Sequence, residues 1–166
     1  DLGARRGGGA AVSVSIDDVS PRYVPGGYRF RTRVQGQIFE GFPGTGDQAL
    51  IVYRRGSNEA SIHRPLIVYV SPPDNEPVLF GTEEKNGQRI DTKLDAQVIY
   101  HDGQWELGRG EDTRDAGDVF VHWDSSDMRS LTVVHEELLF AVRGSRRNGV
   151  GLRELRRIAE SLPLTD

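Results

Sequence analysis

Histidine is the residue type in this chain best suited to metal binding and acid–base chemistry, because the sequence contains no cysteine. The four histidines are His63, His101, His122 and His135. No two of them have the short spacing that places paired ligands on one metal ion. The segment that starts His135-Glu136 is similar to the first part of a zinc-protease motif, but Leu139 stands where the second histidine is required. We therefore expect no bound transition metal and no other cofactor.

A phosphate-binding loop and a serine nucleophile are both disfavoured by the local sequence. Residues 41–46 are rich in glycine, but neither a Lys-Ser or Lys-Thr pair nor a predicted helix follows them, so we interpret them as a loop. Ser145 lacks the Gly-x-Ser-x-Gly pattern of a nucleophile elbow. An enzymatic function is still possible only if separated residues form the active site, such as His101, Asp102, His122 and Asp124.

Charged residues form two opposed clusters in the C-terminal half of the chain. Six acidic residues lie between 111 and 127, without the fixed offsets of a calcium-binding loop, and six arginines lie between 143 and 157. Surface arginines can orient a domain on an acidic partner or an anionic envelope surface. We predict partner binding by five of these arginines, namely Arg146, Arg147, Arg153, Arg156 and Arg157. The alternative is that their charges only keep the surface soluble.

Short runs rich in β-branched and aromatic residues alternate with segments that contain Gly, Pro, Asn or Asp, which is typical of a meandering antiparallel sheet. These runs occur at 12–16, 28–35, 49–53, 66–70, 77–80, 97–100, 105–107, 119–123, 131–135 and 138–142. The pattern predicts an α+β fold with an antiparallel sheet of about seven to nine short strands. Two hairpins are predicted, one through Asp102-Gly103 and one through Glu136-Glu137.

The clearest alternation lies at residues 28–35, where Tyr28, Phe30 and Val34 are separated by arginines. Successive side chains of a strand point to opposite faces, so we predict that the apolar side chains lie in the core and the arginines on a cationic outer face. An RNA-binding sheet needs rings and arginines together on one exposed face. This arrangement and a net charge of -4 argue against nucleic-acid binding.

Residues 152–162 have the periodicity of an amphipathic helix, with arginines on one side and apolar residues on the other. The apolar positions are Leu152, Leu155, Ile158, Ala159 and Leu162. Gly151 can serve as the N-cap, and Pro163 stops the helix. A lone helix of this length is not stable in water, so we expect its apolar side to pack on one face of the sheet.

The chain has 166 residues, a length that favours a single domain able to bury about 70% of its unfolded surface. Residues 1–11 are rich in glycine and arginine and lack apolar periodicity. We predict a flexible lead-in there, followed by one α+β domain over residues 12–166. No apolar run approaches the length of a membrane span. Because the sequence begins with Asp1 rather than Met, we expect a processed or excised piece of a longer product.

Several segments of the C-terminal third form one recognisable pattern, namely 123–124, 130–133, 139–144, 149–152 and a closing Glu-Leu-x-x-Ile-Ala-x-Ser-Leu at 154–162. Together they resemble an uncharacterised domain of bacterial cell-envelope proteins, with looser similarity at 23–28 and 49–54. That domain occurs in lipoproteins related to lipoprotein-sorting factors and in the extracytoplasmic parts of anti-sigma-factor-like membrane proteins. The resemblance implies a fold and an extracytoplasmic location but no activity, because the family has no agreed catalytic residues.

We therefore expect a non-catalytic extracytoplasmic domain that binds or senses a protein or envelope ligand. The resemblance implies that a segment outside this chain tethers it to the membrane. Two alternatives stay open: a carrier of an apolar ligand held between sheet and helix, and a hydrolase built from separated residues. A deep apolar cavity would favour the carrier, and a cleft of convergent polar groups with shifted pKa values would favour the enzyme.

Overall fold

The computed structural model describes residues 16, 19–36, 48–56, 63–73, 87–107 and 121–164. In these ranges the strands are β1 (Tyr28–Gly36), β2 (Gln48–Arg55), β3 (Leu66–Ser71), β4 (Gly87–Arg89), β5 (Gln97–His101), β6 (Gln104–Leu107), β7 (Val121–Asp124), β8 (Met128–Val134) and β9 (Leu139–Ser145). A 3-10 helix (Arg146–Asn148) leads into α1 (Leu152–Glu160). The predicted α+β fold with an antiparallel sheet and a C-terminal helix is confirmed. The predicted lead-in over 1–11 and the predicted strands over 12–16 and 77–80 lie outside the described residues, except for Ile16.

Seven strands form one sheet in the order β1-β2-β3-β9-β8-β5-β4, and β6 and β7 form a separate two-stranded ribbon. Every pairing is antiparallel. Strands β3 and β9 lie inside the sheet and are buried along almost their whole length, which suits their content of Val, Ile, Leu and aromatic residues. The predicted hairpin through Glu136-Glu137 is confirmed, since β8 and β9 pair on either side of it.

Helix α1 packs on one face of the sheet, against β8 and β9. Leu155 and Ile158 are fully buried in the same cluster as Leu131 of β8 and Val142 of β9. Leu152, the first residue of the helix, is 38% exposed, so the buried stripe is shorter than predicted. This apolar contact is what makes so short a helix stable.

The prediction that Phe30 and Val34 lie in the core is wrong, because these side chains on β1 are 60% and 46% exposed. The register between β1 and β2 shifts between Phe30 and Thr32, as in a β-bulge. A shift by one residue exchanges the two faces of a strand. Arg33 therefore pairs with Ile51 on the face that carries the helix, and Val34 falls on the opposite face.

The prediction of a hairpin through Asp102-Gly103 is wrong. The chain turns there, but both edges of β5 are already paired, one with β4 and one with β8. Strand β6 therefore leaves the main sheet and pairs with β7. Gly103 permits a close approach of the backbone, since a Cβ atom at this position would lie 2.4 Å from the backbone oxygen of Asp124.

Candidate anion-binding cleft

A cleft of about 490 Å³ lies between the β6–β7 ribbon and the main sheet. Its charged and amide-bearing lining residues are Arg64, Gln104, Asp124, Asp127, Arg143 and Arg147. They come from the segment before β3, from β6, from β7 and the turn after it, from β9, and from the 3-10 helix. The tertiary fold therefore assembles the cleft from residues that are distant in the sequence.

The floor of the cleft belongs to the face of the sheet opposite α1. On that face His101, Ser130, Arg143 and Ile67 are successive cross-strand neighbours on β5, β8, β9 and β3. The half-buried side chain of Arg143 donates from Nη1 to Gln104 Oε1 over 2.9 Å. This hydrogen bond joins the sheet to the start of the ribbon, so the two form adjoining walls of one site.

His101 supports the ribbon at the other end of this row. Its ring is only 1% exposed, and its centroid lies 5.9 Å from that of Trp123, with 52° between the ring planes. Gly103, between His101 and β6, lies directly against the Trp123 side chain and the Asp124 backbone of β7. In the described structure His101 therefore packs under the ribbon instead of facing solvent.

Asp127 organises the opposite wall. Its two carboxylate oxygens lie 2.9 and 2.7 Å from Ser145 Oγ, and the first also accepts the backbone N–H of Arg147 over 2.9 Å. Arg64 Nε lies 3.4 Å from the second oxygen. Burial alone would raise the pKa of Asp127, but the Arg147 and Ser145 hydrogen bonds and the Arg64 charge outweigh it and lower this pKa below its ordinary value. The carboxylate is therefore ionised at neutral pH and anchors two arginines of the cleft.

Ser145 connects this network to the local chain conformation. It ends β9 and caps the 3-10 helix, because its hydroxyl accepts the backbone N–H of Asn148 over 3.3 Å. The backbone N–H of Arg146 donates to the backbone oxygen of Asp127 over 3.0 Å. These bonds fix the backbone from which the Arg146 and Arg147 side chains extend.

Among the described residues that line the cleft, cationic groups outnumber carboxylates. Arg64, Arg143 and Arg147 line it, against the carboxylates of Asp124 and Asp127. Asp127 is already engaged, and Asp124 Oδ1 accepts the backbone N–H of Ser126 over 2.8 Å. Guanidinium groups bind carboxylate and phosphate through paired, charge-assisted hydrogen bonds. The arrangement is therefore suited to an anionic group.

The structure divides the five predicted partner-binding arginines between two elements. Arg147 lines the cleft, and Arg146 is exposed beside it on the same 3-10 helix. Arg153, Arg156 and Arg157 are exposed on α1. The basic run is continuous in sequence, but only its first part reaches the cleft.

Two of the helix arginines are engaged locally. Arg156 Nε lies 3.2 Å from Glu160 Oε1, and Arg157 lies 3.9 Å from Glu154. The Arg157 guanidinium also stacks over the Tyr23 ring at 4.1 Å. The Tyr23 hydroxyl donates to Glu154 over 2.5 Å, which is the main reason that the pKa of Tyr23 is raised. These contacts attach the segment before β1 to the helix and have a structural role.

Arg64, Gln104 and Arg143 are site residues that the sequence analysis did not single out. Arg64 and Gln104 lie in segments without a motif, and Arg143 is the inward-facing member of the predicted basic run. Their common signal is that each is polar and adjoins or lies in a strand. That signal is too general to identify a site, because polar residues flank most strands.

Of the residues in the alternative enzyme hypothesis whose side chains are described, Asp124 lines the cleft, and His101 and Asp102 do not. His101 is buried, Asp102 is exposed, and Asp124 lines the cleft. The side chain of His122 lies outside the described residues. The lowered pKa of Asp127 makes this carboxylate a poor proton carrier near neutral pH.

The contact between α1 and the sheet bears on the carrier hypothesis. Leu155 and Ile158 on the helix and Leu131 and Val142 on the sheet are all at 0% exposure. Their side chains fill the described contact, which gives no support to an apolar ligand held there.

Three further observations concern cofactors, membranes and relatives. Among the described residues, no three His, Asp or Glu side chains are grouped as metal ligands. In the same ranges, no helix has the length and apolar character needed to cross a bilayer. No protein-family model matches the chain, and no curated protein and no solved structure matches it either. The resemblance to a cell-envelope domain therefore stays a prediction.

Proposed function

We propose that this chain is a non-catalytic binding domain whose ligand site is the arginine cleft, and that the cleft takes a carboxylate or phosphate group. The observation that carries the proposal is the convergence of Arg64, Arg143 and Arg147 from three separate elements on one cleft. Its volume of about 490 Å³ lies within the usual range for small-ligand pockets. A carboxylate side chain or a phosphate headgroup fits a site of this size.

The protein holds in place the side chains of Arg64 and Arg143 and the backbone of Arg147. Arg64 meets Asp127 through Nε, so its Nη groups at the end of the side chain can donate to a ligand. Arg143 is held by Gln104, and the backbone of Arg147 is held by Asp127. Side chains ordered before binding lose less conformational entropy when the ligand arrives, so the cleft is preorganised for an anion.

Arg146 extends the positive charge from the cleft onto the surrounding surface. It is exposed and adjoins Arg147 in the chain. Charges at the rim of an interface mainly accelerate the encounter with an oppositely charged macromolecule. We therefore propose that the anionic group belongs to a protein or an envelope ligand.

The proposal includes an extracytoplasmic domain tethered to a bacterial membrane, as the sequence resemblance implies. Its support is that the segments carrying the resemblance form β7, β8, β9 and α1 in that order. This order of strands and closing helix agrees with what the resemblance predicts. Purification of the full-length product from its native membrane, with its bound partner, tests this part of the proposal.

Titration calorimetry with inorganic phosphate and with citrate tests the cleft directly, and the two probes separate phosphate from carboxylate recognition. Arg147→Gln removes one cation from the cleft and should weaken binding roughly tenfold, the loss of about one charge-assisted hydrogen bond. The matched control, Arg153→Gln, removes the same charge from α1 and should leave the affinity unchanged. Equal weakening in both variants would show only a general effect of net charge and would refute the assignment.

A further inference from the structure

The outer edge of β1 is the longest strand edge that the described residues leave unpaired. β1 lies at one end of the seven-stranded order and has 9 residues, whereas β4 at the other end has 3. An unpaired edge presents backbone N–H and C=O groups that can pair with an incoming strand. The length of β1 is therefore sufficient for a continuous added strand.

The β1 edge is strongly basic in a chain whose net charge is -4. Strands β1 and β2 contain no acidic residue, and their arginines are Arg29, Arg31, Arg33, Arg54 and Arg55. In the described part of the chain, none of these five forms an ion pair with a carboxylate. This charge lacks an acidic partner within the described fold.

Two of these arginines donate hydrogen bonds to backbone oxygens of the protein, and two others are exposed on the edge strand. Arg33 donates to the backbone oxygen of Ile16 over 2.6 Å, and Arg55 donates to that of Asn148 over 2.7 Å. Arg29 and Arg31 are exposed on β1. Their guanidinium groups are accessible to a molecule that docks along this strand.

Exposed apolar side chains lie on the same strand as these arginines. Phe30 and Val34 are both well exposed on β1, and the bulge places them on opposite faces of the strand. Large apolar side chains exposed along a strand edge can contact alternate side chains of an added strand. The edge therefore combines backbone, cationic and apolar contacts.

We propose that the outer edge of β1 binds an extended, acidic segment of a partner protein by strand addition. Backbone hydrogen bonds along β1 supply sequence-independent affinity, and carboxylates of the incoming strand pair with Arg29 and Arg31. Phe30 contacts its apolar residues, which an alternating sequence places on the face opposite Arg29. The basic edge therefore selects a partner whose extended segment is acidic.

A second copy of this chain fits the same edge poorly. Pairing of two β1 edges would bring arginines of one copy close to arginines of the other, and like charges across strands destabilise a sheet. The same positive charge favours an acidic strand, because attraction between opposite charges replaces the repulsion between like charges.

This surface is distinct from the arginine cleft. Strand β1 is separated from β9, which carries Arg143, by β2 and β3. None of the residues that line the cleft belongs to β1 or β2. The two sites can therefore be tested separately in the same intact chain.

The probe is a capped peptide of about ten residues that alternates Glu and Val, the length of a long strand. We expect it to bind the intact chain and to slow hydrogen exchange of alternate β1 backbone amides. Arg29→Glu combined with Arg31→Glu should weaken binding roughly tenfold or more, because two attractive contacts become repulsive. The control, Arg153→Glu combined with Arg156→Glu on α1, changes the net charge equally and should leave the affinity unchanged.

N-methylation of the peptide separates strand addition from simple charge attraction. One set of alternate backbone amides faces β1 and the other faces away, so methylating one set should abolish binding and methylating the other should preserve it. Equal binding by both methylated peptides would overturn the proposal, as would a failure of the unmethylated peptide to bind. Exchange protection confined to the cleft residues, or self-association through β1, would overturn it as well and leave the cleft proposal standing.

Discussion

The two faces of the main sheet are built for different tasks. The face that carries α1 is closed by apolar side chains, with Leu155 and Ile158 packed against β8 and β9 at 0% exposure. The opposite face has a smaller apolar cluster around Tyr69 and Leu139, followed by the row that contains His101 and Arg143. The first face provides stability, and the second carries polar groups of the proposed binding cleft.

This comparison explains why charged residues at similar sequence positions differ in role. Arg156 and Arg157 extend from the outer side of α1 and pair with acids of the same helix. Arg143 and Arg147 lie at the polar end of the opposite face and line the cleft. The role of each arginine follows from the face on which its element lies, and the predictions below test that division.

The largest effect is expected on the helix side. Leu155→Asp places an unpaired charge in a fully buried contact and should cost several kcal/mol, on the order of the whole stability of a small domain. Leu152→Asp, at a position 38% exposed on the same helix, should cost less than about 1 kcal/mol. Urea unfolding measures both. Similar midpoints for the two variants would mean that α1 does not dock through Leu155.

A steric change at the ribbon should be intermediate. Gly103→Ala places a Cβ atom 2.4 Å from the backbone oxygen of Asp124, and relief of this overlap should cost about 1–3 kcal/mol. Gly26→Ala is the control, since no atom of the described residues lies within 4 Å of a Cβ atom there. Thermal unfolding of the two variants gives the comparison. An unchanged melting temperature for Gly103→Ala would contradict the close approach of β6 and β7.

The Asp127 network should contribute stability that depends on pH. Asp127→Asn retains the shape but loses the charge that binds Arg64, and should cost about 1–3 kcal/mol at neutral pH. Because the pKa of Asp127 is lower in the folded state, its contribution is complete above the unfolded pKa and is lost as the pH falls through the folded pKa. The difference between wild type and variant should therefore shrink below about pH 4. Unfolding curves of both proteins, recorded from pH 7 to below about pH 4, measure this difference in unfolding free energy. A difference that does not change with pH would refute the role of the ionised carboxylate.

The smallest effect is expected on the outer side of α1. Arg156→Gln removes an exposed ion pair with Glu160, and such pairs on one helix contribute about 0.3–0.5 kcal/mol. Added salt should screen this difference further. Unfolding free energies at low and high salt measure the effect. A loss above about 1 kcal/mol would place Arg156 in a structural network and weaken the contrast between the two faces.

Local patterns predicted the elements well where one periodicity persists. The helix stripe through Leu155 and Ile158 and the hairpin at Glu136-Glu137 are both present. The alternation failed at Val34 because a bulge changes the phase within the strand, whereas Phe30 keeps its phase beside Tyr53 but is exposed on the edge strand. A pattern of residue types cannot reveal a bulge when apolar and charged residues alternate regularly on both sides of it.

The sequence by itself determined the type of each major element, the buried side of α1 and the excess of arginine in the C-terminal third. These properties depend on residues within a few positions of one another, because backbone geometry sets the periods of strands and helices. Only the tertiary structure decided that β6 leaves β5 for β7 and that Arg64, Gln104 and Arg143 meet in one cleft. Those contacts depend on which strand edges are already paired and on which face each strand presents. Sequence spacing carries neither kind of information, since residues that are distant along the chain become neighbours only when the sheet forms.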